Sequence, residues 1–271
     1  MKFDDILICP ACKAPIICGN GKIKCPKCGM IYHIKNNVPI LLVDKKLVKN
    51  VIEKEGSFDK YKNISKIFGS DIIADEPLKK GKAILLKGKI LNIGSGSTRL
   101  NDRTVNMDIS LFKNVDVVGD AHNLPFKNNS FDTVWCDAVL EHVRCPKKVV
   151  VEMYRVLKKG GHVFVVTPFI HKYHEHPNDF YRWTSSGLEE LFESEGIKKE
   201  AVGVYRGPTS ALFSFLSEYF TLFVENKSLK KVVKVVIFMM LFPLRGFDKV
   251  LKKNKRSHEL ACALYYVGRK V

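Results

Sequence analysis

From residue 89 onward, short apolar runs end repeatedly in a glycine or an acid. "GKILNIGSGSTRL" carries Ile90 to Ile93 into Gly94-Ser95-Gly96, "TVNMDIS" ends a second run at Asp108, and "VDVVGDAHNLPF" ends a third at Asp120-Ala121. "SFDTVWCDAVLEHV" supplies a fourth run, Thr133 to Cys136, with a helix entry behind it. In "VVVEMYRVLKKGGHVFVVTPF" the apolar positions Val150, Met153, Val156 and Leu157 have helical spacing, followed by a Gly160-Gly161 stop and a fifth strand. Strand, turn and helix in alternation, with acids at strand ends, predict an open α/β sheet that binds its ligand at the carboxyl edge. "IKKEAVGVYRG" reads as a sixth strand and "HELACALYYVGRKV" as a seventh that pairs antiparallel to complete the sheet. Between them, residues 208–257 form a helical insertion with the apolar stretches "TSALFSFLSEYFTLFV" and "VVKVVIFMMLFPL". Neither stretch reaches the roughly 18 uncharged residues of a membrane-spanning helix.

The front of the chain follows a different pattern. Cys9-Pro-Ala-Cys12 and Cys25-Pro-Lys-Cys28 are two CxxC pairs, and Gly29 supplies the backbone freedom of the second turn. Each pair can present two thiolates to one tetrahedral ion, which predicts a structural zinc held by Cys9, Cys12, Cys25 and Cys28. Four sulfur ligands leave no open position for catalysis, and a segment of about 40 residues buries too little apolar surface to fold without metal. Cys18 is a spare thiol. Alternating apolar residues around Asn36-Asn37 predict a β-hairpin. Residues 45–88 turn charged and mixed, with weak helical periodicity over 45–69 and a break at Pro77 and Gly81, and read as a helical linker.

Composition narrows the partners. Forty-five Lys and Arg against 28 Asp and Glu give a formal charge of +17, which favours RNA, anionic headgroups or phosphorylated substrates. The 46% hydrophobic content is that of a globular protein. "MKFDDILICPAC" lacks the apolar core of a secretory signal, and five of the eight cysteines cluster in metal-site spacing, so a reducing, cytoplasmic setting is expected. From Lys227 to Arg256 there are ten Lys or Arg and one Asp, a net +9 beside apolar helices. That combination suits either peripheral contact with an anionic membrane or a cap over the active site with a solvated basic face.

A glycine turn followed by Arg99, where the dinucleotide fingerprint needs a third glycine, disfavours a nicotinamide cofactor. Taken together, "LNIGSGS", Asp108, "GDAHNLPFKNNSFDTVWC", "LEHV" and "VLKKGGHVFVVTP" resemble the class I S-adenosylmethionine-dependent methyltransferases of the broad type 11. That resemblance implies a Rossmann-like sheet of seven strands over residues 89–271. It also implies methionine-end contacts near Asn92 and Gly94, ribose contact by Asp108, and adenine contact by Asp120 and Ala121. Ser95, Gly96 and Cys136 complete the candidate cofactor wall. Asn92 stands where the family usually has an acid, and Ser97 where a third glycine is common. Residues 6–44 resemble the small zinc-ribbon activators that partner RNA and protein methyltransferases, which implies a platform for partner or substrate in residues 1–44.

The most chemically crowded stretch is "HKYHEHPNDFYRWT", residues 171–184. It follows the fifth strand at the cofactor's sheet edge, where a methyl acceptor has to sit. Methyl transfer from a sulfonium needs alignment and, for a hydroxyl or amine, removal of a proton. The candidates for that work are His174, His176, Asp179 and Tyr181, with Glu141 and His142 from the fourth-strand side. Thr184 or Ser185 is the expected N-cap of a following helix, and a second metal at His171, His174 and His176 is an open alternative. The resulting expectation is a methyltransferase for a small-molecule, glycan or lipid-linked hydroxyl or amine. Two other readings stand beside it: an RNA methyltransferase that binds through its basic surface and ribbon, and a non-catalytic module that senses the cofactor and recruits partners. "CDAV" after the fourth strand lacks the Asn/Asp-Pro-Pro-aromatic element of base N-methylation.

Overall fold

The computed structural model describes residues 5–19, 21–53, 84–175, 178–251 and 253–271. Most of the linker predicted at 45–88 therefore lies outside the described residues, including Pro77 and Gly81; its start is helix α1, Lys45–Glu53.

A single eleven-stranded sheet runs through both halves of the chain. Its strands are β1 (Ile17–Cys18), β2 (Lys22–Lys24), β3 (Ile31–Lys35), β4 (Val38–Leu41), β5 (Ile90–Ile93), β6 (Thr104–Asp108), β7 (Val117–Gly119), β8 (Phe131–Asp137), β9 (Leu157–Pro168), β10 (Ile197–Arg206) and β11 (Ala263–Lys270). They lie in the order β1-β2-β3-β4-β7-β6-β5-β8-β9-β11-β10. The last seven positions are the expected seven-stranded sheet, with β5 to β9 parallel and β11 antiparallel to both β9 and β10. The four ribbon strands are additional and attach through β4, which pairs parallel with β7 (Ile40 with Val118, Leu41 with Gly119). The ribbon therefore extends the sheet and covers what would otherwise be an open edge.

Local chemistry accounts for these junctions. Asn36 and Asn37 both have positive φ, at 52° and 62°, which is the turn that matches the twist of the β3–β4 hairpin. Burial joins the halves: Leu7, Ile23, Tyr32 and Leu41 share one core with Met107, Leu124, Phe126 and Val150. Polar contacts add to this, as Lys13 Nζ donates to Glu152 Oε2 at 2.7 Å and to the Leu124 carbonyl at 3.2 Å. Glu152 lies in helix α2, Pro146–Val156, whose apolar side faces the sheet.

Three expectations differ from what is found. No helix follows Gly94–Gly96; the ten residues between Ile93 and Thr104 form turns, tied down by Arg99, whose guanidinium donates to the Thr104 carbonyl at 2.7 Å and to both Asp116 oxygens at 2.8 Å. Residues 138–145 are likewise turns, and α2 begins only at Pro146, a residue suited to a first helical position. Finally, α2 ends at Val156, and Gly160-Gly161 lie within β9, where the register against β8 shifts between Phe131 and Thr133.

The C-terminal third contains helix α3 (Ser185–Glu193), capped by the Thr184 hydroxyl, and the insertion helices α4 (Pro208–Tyr219), α5 (Lys227–Leu241) and α6 (Phe247–Leu251). Of the fifteen residues in α5 only Ile237 is buried. More than half of the exposed large hydrophobic side chains among the described residues lie in 208–257, including Leu222, Phe223, Met239, Met240 and Val250. No helix among the described residues is long and apolar enough to cross a membrane.

Candidate active site

At the carboxyl end of β5 the chain turns through Gly94 (φ +65°) and Gly96 (φ +52°). A Cβ on Gly94 would lie 2.3 Å from Val139 Cγ2, so the turn packs directly on the loop that follows β8. Asp108, at the end of β6, accepts from the Gly96 amide at 2.9 Å and the Ser110 amide at 3.0 Å. Two of the four lone-pair positions of its carboxylate are thereby used, which leaves capacity for a diol. Burial raises its pKa, against the pull of those amides. Asp120, after β7, caps the turn at Ala121–Asn123 through the His122 amide at 2.9 Å and meets the His122 ring Nδ1 at 2.7 Å. Burial alone would raise the Asp120 carboxyl, but the His122 contacts outweigh it and hold it below its ordinary value.

Two predicted cofactor residues turn away. The Asn92 amide donates to Asn106 Oδ1 at 3.2 Å and to the Thr98 carbonyl at 3.4 Å, inside a buried network that also holds Asn106 to Asn114. Cys136 is fully buried in the core, so its thiol does not line the cleft; position 136 pairs between Ile93 and Val165 in the sheet interior. Ser95 and Ala121 are buried beside the turn residues.

The second half of the site is built from the two loops after β8 and β9. Glu141 is completely buried, and neither carboxylate oxygen has a hydrogen-bond partner. His142 Nε2 lies 3.9 Å and His174 Nε2 3.8 Å from Glu141 Oε1. Burial pushes the Glu141 carboxyl up to about 8, and burial beside the His171 and His142 rings pushes His174 down to about 4. The loops are stitched together by Phe180 N–H donating to the Glu141 carbonyl at 2.7 Å, by Tyr181 donating to the Arg144 carbonyl at 3.0 Å, and by His142 Nδ1 at the Asn178 carbonyl.

Of the predicted acceptor-side residues, Glu141, His142 and His174 come together. Asp179 sits behind His174, held by both Arg182 amino groups and by the His174 amide at 2.8 Å. That guanidinium keeps the Asp179 carboxyl well below its ordinary range, so it acts as an anchor. The Tyr181 hydroxyl is engaged with the loop, and His176 lies outside the described residues. His171 faces His174 edge to face at 4.9 Å, and its Nδ1 lies 2.8 Å from the Lys172 carbonyl. Arg182 was not singled out by sequence reasoning; its signal was the acid–Arg spacing of three in "DFYR", two side chains that the structure pairs directly.

In the ribbon, Cys9 Sγ lies 3.6 Å from Cys28 Sγ, and Cys12 Sγ 3.5 Å from Cys25 Sγ. All four sulfurs lie within 4.8 Å of one another. A tetrahedral ion with sulfur at about 2.3 Å requires sulfur–sulfur edges of about 3.8 Å, so the donor set fits zinc closely. The Tyr32 hydroxyl lies 3.0 Å from Cys9 Sγ, and the Cys28 amide faces Cys25 and favours its thiolate. Cys18 is exposed and stands apart from this cluster.

A parallel five-stranded core closed by an antiparallel β11, with a glycine turn and acids at successive strand ends, is a Rossmann-like α/β arrangement. Residues 95–165 match the family model described as a methyltransferase domain. An uncharacterized protein of Methanocaldococcus jannaschii is 32% identical over 121 residues, 40% of this chain and 59% of that protein. The ubiquinone/menaquinone biosynthesis C-methyltransferase of a Ruegeria species is 36% identical over 77 residues, 28% of this chain and 26% of its own. A malonyl-[acyl-carrier protein] O-methyltransferase of a Marinomonas species is 27% identical over 150 residues, 49% and 56% of the two chains. The matched region thus spans between about a quarter and somewhat over half of these relatives.

Proposed function

We propose that the chain is an S-adenosylmethionine-dependent methyltransferase acting on a hydroxyl or amine of a lipid-linked acceptor. One observation carries the reading: Asp108 and Asp120 close consecutive strands beside the Gly94–Gly96 turn, and Val139 packs that turn against the loop bearing Glu141. When bound, S-adenosylmethionine supplies a methyl group already activated by its sulfonium. Asp108 would accept from the ribose hydroxyls and Asp120 from the adenine amino group, with Ala121 against the ring, while the open backbone at Gly94 and Gly96 admits the methionine end. Glu141, His142 and His174 form the polar surface on which an acceptor hydroxyl or amine is oriented and loses its proton. Asp179 and Arg182 fix His174.

The acceptor class is read from the insertion. Its exposed Leu222 and Phe223 precede, and Met239, Met240 and Val250 lie among, the lysines and arginines of 227–256, a pairing that suits insertion at an anionic membrane surface. Glu218 of α4 binds Lys172 of the histidine loop and, at 2.8 Å, Lys234 of α5, so this surface is tied to the acceptor loop. Zinc held by Cys9, Cys12, Cys25 and Cys28 would complete the ribbon as a platform on the sheet edge.

The test has two arms. Calorimetry of the zinc-loaded chain with S-adenosylmethionine should give saturable one-site binding; no binding at millimolar cofactor would refute the reading. Methyl label supplied with a cell extract should enter the lipid fraction, and the chain should float with anionic but not neutral vesicles. Label confined to RNA, with binding that weakens steeply with salt, would overturn the acceptor class and leave the reaction class standing.

A further inference from the structure

The geometry points to a second metal site, separate from the ribbon, in which Glu141, His142 and His174 hold a first-row divalent transition ion. The three residues offer one carboxylate oxygen and two imidazole nitrogens, all within 4.8 Å of one another. Donors on a common ion at about 2.1 Å are separated by roughly 3.0–3.4 Å. The observed 3.8 and 3.9 Å from Glu141 Oε1 to the two Nε2 atoms need only small side-chain adjustments to close.

Two independent features support a built site. Both Glu141 oxygens are buried without a hydrogen-bond partner, an arrangement that strongly disfavours the charged carboxylate unless a cation or proton neutralises it. Each histidine also has a carbonyl or carboxylate oxygen near its second nitrogen. His142 Nδ1 is hydrogen-bonded with the Asn178 carbonyl, while His174 Nδ1 is buried without a hydrogen-bond partner, 3.3 Å from Asp179 Oδ2, which is itself clamped by Arg182. A carbonyl or carboxylate on the far nitrogen is the support that metal-bound imidazoles use to fix tautomer and orientation. At His142 that contact leaves the Nε2 lone pair free, 3.9 Å from Glu141 Oε1, and His174 Nε2 lies 3.8 Å from the same oxygen. Two imidazoles and one carboxylate favour zinc, iron(II) or a similar borderline ion over magnesium or calcium, and three protein ligands leave open positions for water or an acceptor oxygen. This trio spans both loops and differs from the alternative at His171, His174 and His176, of which His176 lies outside the described residues.

Ion binding itself does not depend on the methyltransferase reading; only the use of the open positions does. The experiment is a cobalt(II) titration of the full chain with its ribbon already saturated with zinc. One further ion should bind per chain, with weak visible bands of an N/O ligand set and no thiolate charge-transfer absorption. Glu141→Gln and His174→Ala should abolish uptake, Asp179→Asn should weaken it about 10- to 100-fold, and His171→Ala should leave it unchanged. No further ion, uptake that survives Glu141→Gln, loss in His171→Ala, or thiolate absorption would each overturn the assignment. Circular dichroism of each variant separates lost ligation from lost folding, and a variant that fails to fold is replaced by the His142→Ala chain. Calorimetry with S-adenosylmethionine on the same samples distinguishes the two readings, since either ligand can bind without the other.

Discussion

Replacing Gly94 by alanine tests the join between the glycine turn after β5 and the loop after β8, the two halves of the proposed site. The backbone at Gly94 is left-handed, with φ +65°, and holding an alanine there costs about 1–2 kcal/mol. The new methyl would sit 2.3 Å from Val139 Cγ2, whereas carbon atoms prefer about 3.5–4.0 Å. Val139 must therefore move by more than 1 Å or leave its rotamer, which adds about 0.5–1.5 kcal/mol. Gly94→Ala should thus lose about 2–3 kcal/mol in urea unfolding and several degrees in Tm, and should weaken S-adenosylmethionine binding in calorimetry. The two contributions separate in a double-mutant cycle. In the Val139→Ala background the obstructing Cγ2 is gone, so the Gly94→Ala cost should fall to the backbone part alone, a coupling of about 0.5–1.5 kcal/mol. Equal costs in both backgrounds would refute the packing of the glycine turn on the 139–141 loop, and with it the route by which the two halves of the site are aligned.

Asp120→Ala should weaken cofactor affinity by about 1–3 kcal/mol through loss of a buried hydrogen bond, and unchanged calorimetric affinity would remove Asp120 from the cofactor wall. Glu218 is held down to about 2; burial opposes this, but the Lys172 and Lys234 ammonium groups outweigh it. A carboxylate whose folded pKa is depressed stabilises the fold above its unfolded value and loses that contribution as pH falls through the folded one. Wild type should therefore exceed Glu218→Gln by about 1 kcal/mol at pH 7, a figure discounted for solvent screening, and the gap should narrow as pH falls from about 4.5 toward 2; a gap constant with pH would sink the ion-pair account. Stripping zinc with a chelator should lower both Tm and cofactor affinity, because β4 pairs with β7 and Asp120 follows β7. Loss of ribbon structure with unchanged cofactor binding would show that the two halves are energetically separate.

Much of this architecture was legible along the chain. Apolar runs ending at Gly94, Asp108 and Asp120 marked β5, β6 and β7 because a parallel strand buried on both faces must be continuously apolar, and its carboxyl end is where polarity resumes. The cysteine spacing marked the ribbon because thiolate ligation is local. Contacts between residues distant in sequence were not legible. Asn92 looks like a cofactor contact in a one-dimensional pattern, but its partner Asn106 lies fourteen residues away on the neighbouring strand. Cys136 sits at a strand end in sequence, yet the sheet continues past it to Asp137, which leaves the thiol in the core. In the histidine loop the right residue types were visible, but their division of labour depended on Arg182 clamping Asp179 and on the β8 loop bringing Glu141 and His142 under His174.

The same reasoning explains why the ribbon belongs to the sheet. A ribbon folded as a separate bead would bury its few apolar residues only against metal and would leave β7 with an unpaired edge. Here Ile23, Tyr32 and Leu41 are almost wholly buried in a core that continues into Met107 and Phe126. Lys13, in the turn after the first cysteine pair, reaches α2 through Glu152, whose other partner Arg155 donates to the Leu124 and Phe126 carbonyls. Those carbonyls belong to the segment that follows the Asp120 turn. The cysteine cluster, the edge pairing and the Asp120 turn are therefore consecutive links in one chain of contacts, and a change at the cysteines has a short physical path to the proposed cofactor wall.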